Sequence, residues 1–199
     1  MDEGFLQQKI GDISNIINST EKRPVIVGIA GGSCSGKTLV SEALKKHFDA
    51  AVLNMDDYYK TVDIRSERID YNFDEPGALD LKLLSEHLQQ LNRGNTISKP
   101  TYDFSTHSRK GYENFSAGTI IIVDGLLALH DTIRNYIDVK IFVQCSEEKR
   151  LQRRIERDIA ERGRTRDSVL YQFDKTVKPM HDKHVESTRK YADIIIVNN

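Results

Sequence analysis

Gly31-Gly32-Ser33-Cys34-Ser35-Gly36-Lys37-Thr38 matches G-x-x-x-x-G-K-[ST] in full. A phosphate chain must lie against backbone N–H groups, so Gly31 and Gly36 remove side chains where the main chain has to come close. The loop is predicted to run into a helix, whose N-terminus favours anions. Lys37 adds a point charge on the outer phosphates, and the Thr38 hydroxyl is a ligand type for Mg²⁺. Ser33, Cys34 and Ser35 complete the cradle. The flanks supply the context this loop needs. Pro24-Val25-Ile26-Val27-Gly28-Ile29 reads as a strand, and Leu39-Val40-Ser41-Glu42-Ala43-Leu44 continues as a helix.

Two acids follow apolar runs. Ala51-Val52-Leu53-Asn54-Met55 ends in Asp56, and Thr119-Ile120-Ile121-Ile122-Val123 ends in Asp124. In open α/β sheets, ligands sit outside the carboxyl ends of the strands, so both carboxylates are expected to face the phosphate loop. Asp56 can take or orient the proton of an attacking hydroxyl; the other reading is a solvated acidic turn. Asp124 has the pattern of the second P-loop acid, which reaches Mg²⁺ directly or through water, although Asp-Gly is also a turn signal. Arg150, Arg153, Arg154 and Arg157 lie on a predicted helix from Ser146 to Arg162, followed by Gly163-Arg164. Two readings are open here. Interspersed acids suit a salt-bridged exposed helix. Alternatively, the arginines form a lid that meets phosphoryl charge, with Gly163 as its hinge. Tyr102, Phe104, His107 and Arg109 crowd one non-helical stretch. They suit either a polar ring ligand or a β-hairpin whose aromatics pack on the core.

These groups need a scaffold, and the rest of the chain supplies one. Strands alternating with helices predict an α/β fold of the P-loop NTPase type, a mostly parallel sheet flanked by helices. Phe5, Leu6, Ile10, Ile13, Ile16 and Ile17 have helical spacing, so residues 1–20 are read as an N-terminal helix and linker ahead of a single kinase domain over 21–199. Asp80 caps a helix through Leu91. Thr61 to Gly77 is a long polar stretch of mobile character. Ser168 to Tyr191 reads as helical, broken near Lys178-Pro179, with His181 and His184 as surface residues and not zinc ligands. Ala192 to Val197 is a last strand. With 29 basic and 30 acidic residues, there is no global basic field for nucleic acid. No apolar run approaches the roughly 20 residues that span a bilayer. Cys34 and Cys145 form no C-x-x-C pattern, which fits a reducing cytoplasm. Residue types and spacing thus point to a kinase of a small hydroxyl compound.

The chain resembles the uridine (uridine–cytidine) kinase family from Pro24 to Val197. The resemblance is carried by the phosphate loop, Asp56-Asp57-Tyr58-Tyr59-Lys60, Asn72-Phe73-Asp74-Glu75-Pro76, Pro100-Thr101-Tyr102-Asp103-Phe104-Ser105-Thr106-His107-Ser108-Arg109, Asp124-Gly125-Leu126-Leu127, Arg153-Arg154-Ile155-Glu156-Arg157-Asp158, Glu161-Arg162-Gly163-Arg164 and Lys175 to Met180. It implies transfer of phosphate from ATP or GTP to the 5′-hydroxyl of uridine or cytidine, an arginine-rich lid, and a small β-hairpin insertion that binds the nucleoside. It also implies roles. Asp56 is the catalytic base, and Asp74, Arg154 and Gln172 hold the ribose. Tyr102 and His107 recognise the base; Phe104 is a substrate-binding candidate from its apolar ring, not from the resemblance. Arg157, Arg162 and Arg164 belong to the lid and its surroundings, and Thr38 and Asp124 to the magnesium side. A homo-oligomer, commonly a tetramer, and cytoplasmic residence follow from the same resemblance.

Three departures stand out. Position 124 is usually Glu in the family, so a bridging water is expected to replace part of the reach of Asp124. Asp57 is an extra acid that either alters its neighbour's pKa or faces solvent. The family usually continues past the last strand with a basic turn and a closing helix, and the N-terminal helix is expected to cover part of that surface. Other readings stay open: a P-loop kinase of ribulose 5-phosphate, pantothenate or nicotinamide riboside, a nucleotide-dependent switch, or a catalytically weakened relative.

Overall fold

The computed structural model describes residues 3–62 and 71–199. The stretch 63–70, part of the long segment expected to be mobile, lies outside the described residues. Five strands form one parallel sheet in the order β2-β5-β1-β6-β7: β1 Val25–Ala30, β2 Ala51–Asn54, β5 Ile120–Asp124, β6 Val139–Gln144 and β7 Ile194–Val197. Two further strands, β3 Ile97–Asp103 and β4 Ser108–Phe115, make a separate antiparallel hairpin.

Strand β1, and β5 up to Asp124, are apolar and buried along their length because both faces are covered. Ile120 and Ile122 of β5 pack on one side with Val25, Val27 and Ile29 of β1, while Ile121 and Val123 pack on the other with Ile26, Leu53 and Phe142. The first side is closed by α1 (Glu3–Asn18) and α2 (Lys37–Phe48), the second by α3 (Leu81–Leu91) and the short α4 (Asp131–Arg134). Asp80 caps α3, accepting from the Leu83 N–H at 3.1 Å. Helix α1 buries Leu6, Ile10, Ile13 and Ile17 in the same cluster as Ile194 and Ile196 of β7. The opposite face of β7 is not covered: Ile195 and Val197 are exposed. Deleting residues 1–20 is therefore expected to lower the melting temperature and the solubility, because it removes four buried side chains that each stabilise by roughly 1.5–3 kcal/mol and bares the apolar surface beneath them. Unchanged thermal denaturation would contradict this.

Helix α5 (Glu147–Arg162) follows β6. Its N-cap Ser146 accepts from the Lys149 N–H, and it ends at Gly163 in the left-handed conformation. The next helix starts as α6 (Arg166–Gln172), and the chain remains helical to Tyr191. The expected break at Lys178-Pro179 does not occur. Proline lacks an N–H and crowds the preceding turn, and here wide π-turns at Phe173–Val177 and His181–Val185 flank it and absorb the misfit.

Candidate active site

Three strand ends of the sheet deliver the reactive groups to one cleft. The end of β1 runs into the phosphate loop, the end of β2 into a 3₁₀ turn at Met55–Tyr58 that carries Asp56, and β5 ends on Asp124 itself. The cleft has a volume of about 1210 Å³. A single small-molecule site takes roughly 300–1,000 Å³, so there is room for two ligands.

Glycine is required at two points of the loop. Gly31 has φ 147° and Gly36 φ 101°, and a Cβ at Gly36 would strike the side-chain amide of Asn198. Gly32 is packed from behind: a Cβ there would stand 2.7 Å from Arg150 Nη1 and 2.9 Å from His181 Nδ1. His181 is therefore not the surface residue expected. Burial, and then the neighbouring Arg150, push its pKa down to about 4, so it is neutral near pH 7. Lys37 Nζ donates to the Gly32 carbonyl at 3.0 Å. Burial pushes the ammonium down, while Asp124 and Asp56 hold it up. In return, burial raises Asp56 to about 6 against the pull of Lys37, with Asp124 and Asp57 raising it further. Burial also raises Asp124, again against Lys37. Two carboxylates thus share one ammonium beside the loop.

The hairpin is strapped to the turn that carries Asp56. Arg109 donates to the Tyr59 carbonyl at 3.1 Å and the Tyr58 carbonyl at 3.3 Å, and pairs with Asp80 at 3.2 Å. Its groups are spent on the scaffold and not on a ligand. Lys99 bridges Asp57 and Glu113, each at 2.6 Å. Of the two alternatives for Asp57, the first holds: it is tied to Lys99 and does not simply face solvent, and its charge raises Asp56. Replacing Lys99 by Met leaves the two carboxylates without their cation. The expected loss is about 2 kcal/mol, below the value for a fully buried pair because Glu113 is exposed. Thermal denaturation of K99M and of K99M/D57N tests this, the second change restoring part of the loss.

Most of the residues singled out from the sequence meet in the cleft. Ser33, Cys34, Gly36, Lys37, Thr38, Asp56, Asp74, Phe104, His107 and Asp124 line it, as do Arg154, Arg157, Arg162, Arg164 and Gln172. Gly31, Gly32 and Ser35 form the back of the loop and do not line the cleft. Tyr102 does not line it either. Its ring packs 5.5 Å from Tyr59 and 5.1 Å from Phe104, and its hydroxyl is buried without a partner among the described residues. The cleft wall is formed instead by Tyr59 and Phe73, whose rings lie 5.9 Å apart, and by His107, tilted 31° against Phe73 at 4.9 Å.

The α5 arginines are not a solvated stripe. Arg150 is 2% exposed and Arg154 6%. Arg154 donates to Ser33 Oγ at 2.9 Å and Gln172 Oε1 at 3.1 Å, and Arg164 donates to the same Gln172 oxygen. Phosphate loop, α5 and α6 are joined by this chain of hydrogen bonds. Burial pushes the Asp74 carboxyl up, and Arg154 counters it. Two contributors were assigned no role from the sequence. Asn198 donates from its amide to the Ser35 carbonyl at 2.8 Å and braces the loop from the end of β7. Asp158 is buried among the arginines.

Residues 26–198 match the phosphoribulokinase / uridine kinase family. A uridine kinase of Clostridium novyi is 47% identical over 181 residues, covering 87% of each chain. A uridine kinase of Geobacillus kaustophilus is 44% identical over 182 residues, covering 88% of this chain and 86% of that one. Among solved structures, one described as a possible uridine kinase from Bacillus stearothermophilus superposes with a TM-score of 0.70 at 18% identity, over 96% of this chain and 98% of the other, a likeness of fold. With the loop, the two strand-end acids and the buried arginines in one cleft, the chain belongs to the phosphoribulokinase / uridine kinase family of P-loop kinases.

Proposed function

We propose that the protein transfers the γ-phosphate of ATP (or GTP) to the 5′-hydroxyl of uridine or cytidine, a reaction of pyrimidine salvage. The observation that carries this reading is the place of Asp56. It lines a cleft whose one side is the phosphate loop with Lys37 and whose other side is the ring cluster of Tyr59, Phe73, Phe104 and His107. A flat apolar ring fits between such side chains, and Asp74, Arg154 and Gln172 supply the polar groups a ribose needs. Asp56 accepts the proton of the 5′-hydroxyl as its oxygen bonds to the γ-phosphorus and the bond to the β-phosphate oxygen breaks. Lys37, Arg157 and Arg162 meet the charge on the moving phosphoryl group.

Magnesium fits the donor set. The Thr38 hydroxyl and the Asp124 carboxylate are oxygen ligands, and Mg²⁺ commonly takes one or two protein ligands with phosphate and water oxygens. The excess of carboxylate over ammonium beside the loop favours a divalent cation. When bound, it neutralises charge on the phosphates. The protein is further proposed to act in the cytoplasm as a homo-oligomer; no helix among the described residues is long and apolar enough to cross a membrane.

The reading is tested by offering ATP-Mg²⁺ with uridine, cytidine, adenosine, thymidine, ribulose 5-phosphate or pantothenate. Transfer to uridine and cytidine is expected. Preferential transfer to ribulose 5-phosphate or pantothenate would replace the proposed acceptor, and transfer to none would overturn the enzyme reading.

A further inference from the structure

Asp158 has no exposed surface, a depth at which carboxylates are rare unless paired. Its partners are four arginines from both sides of Gly163. Oδ1 accepts from Arg157 Nε at 3.0 Å and Nη2 at 2.8 Å, and Arg162 Nη1 stands 3.6 Å away. Oδ2 faces Arg164 Nη1 at 3.4 Å and Arg154 Nε at 3.7 Å. The main-chain carbonyl of Asp158 accepts from the N–H groups of Gly163 and Arg164. It thereby turns the chain back at the end of α5 and brings Arg164 beneath the helix. All four arginines line the cleft.

The distances separate these four into two kinds. Arg157 is bonded through two nitrogens at ordinary hydrogen-bond lengths. The other three stand 3.4–3.7 Å from the carboxylate, where a hydrogen bond is weak; Arg154 and Arg164 are held as well by Gln172, with Ser33 and the Ser168 carbonyl as further partners. Arg162, with 48% of its side chain exposed, has the most freedom to move. Left alone, four guanidiniums repel one another. One buried carboxylate among them offsets that repulsion and still leaves cations in excess.

We propose that Asp158 is the positioning residue of the arginine cluster, holding the four guanidiniums aimed into the cleft before phosphate arrives and releasing the loosely held Arg162 to the transferring phosphoryl group. The proposal rests on the kinase reading above. Its physical content is electrostatic preorganisation: donors fixed in advance need no reorganisation at the moment of transfer. Asp158 touches no substrate, so it acts through the arginines.

This role has a consequence of opposite sign for turnover and for simple anion binding. Asp158→Asn removes a negative charge from the cluster while freeing the arginines to spread. Turnover with ATP and uridine is expected to fall about thirtyfold, for want of aligned donors. Inorganic pyrophosphate, which needs charge more than alignment, is expected to bind about fivefold more tightly by titration calorimetry. Asp158→Glu keeps the charge but shifts it by one methylene. Its kcat is expected to fall about fivefold with pyrophosphate affinity unchanged. A folded D158N that loses turnover and pyrophosphate affinity together would assign Asp158 a purely structural role and overturn the proposal. So would wild-type turnover in D158E, even if D158N does not fold. Pyrophosphate titrations remain readable if the wild-type protein phosphorylates no nucleoside, so failure of the kinase reading is distinguishable from failure of this one.

Discussion

Asp56→Asn is expected to lower kcat for uridine by about 10³-fold while leaving ATP binding intact, since a positioned general base contributes roughly 10²–10⁴. The same carboxylate sets a pH limb. Burial raises its pKa to about 6, and only the deprotonated form can take the hydroxyl proton. The value of kcat/KM, which follows the free enzyme, is therefore expected to fall about tenfold between pH 7.5 and pH 5, not to persist down to pH 4 as it would for an ordinary aspartate. A limb near pH 4 would remove Asp56 from the base role. Stability moves the other way. An aspartate whose pKa is raised on folding contributes stability that is full below the unfolded value of 3.8 and is lost as pH rises through about 6. At pH 7 the charged side chain is thus a burden on the fold. Asp56→Asn, which mimics the neutral form, is expected to be more stable by about 1–2 kcal/mol, after allowance for water in the cleft. Loss of activity with a rise in melting temperature is the combined signature.

How much of this site could be read from the chain depended on whether the signal was local. The phosphate loop was legible because backbone approach demands glycines at fixed spacing, and Asp56 and Asp124 because each ends an apolar run. The sheet itself followed from strands apolar on both faces. Asp158 was not legible. In Arg157-Asp158 and Asp158–Arg162 spacing it reads like any solvated helix pair, and only the fold puts it under the arginines, beyond solvent. His181 looked like a surface residue because half a helical turn decides whether it faces water or the back of Gly32. Tyr102 lies on β3 and Phe104 just past its end in the hairpin turn, so the strand alternation does not carry from one to the other: Phe104 opens into the cleft and Tyr102 packs against Tyr59. The family resemblance singled out Tyr102 for base recognition; the cleft itself is lined by Tyr59, Phe73, Phe104 and His107, with Tyr102 packed behind Tyr59. Pro179 failed to end its helix because neighbouring turns widened to accommodate it, a remedy that needs the tertiary packing of Phe173, Val177 and Val185.

Lys37→Met carries the second large effect, and it reaches Asp56 through charge. Lys37 is the largest influence lowering the Asp56 pKa, and it also opposes the rise of Asp124. Methionine has nearly the same reach and no charge. Two consequences follow together. The outer phosphates lose their ammonium, so kcat is expected to fall several hundredfold, the scale of removing a donor aimed at transition-state charge. The two carboxylates lose the cation they share, so the acid limb of the residual activity is expected to move above pH 6. The sign is fixed by electrostatics: with the cation gone, the anionic form of Asp56 is less favoured and its proton is held more tightly. Lys37→Arg is not expected to restore turnover, because Lys37 Nζ meets the Gly32 carbonyl as a compact point donor, and a planar guanidinium fork does not fit that approach. A pH–rate profile of K37M whose limb stays at the wild-type position would separate Lys37 from Asp56, and the coupling of phosphate loop to base would have to be abandoned even if kcat fell as expected.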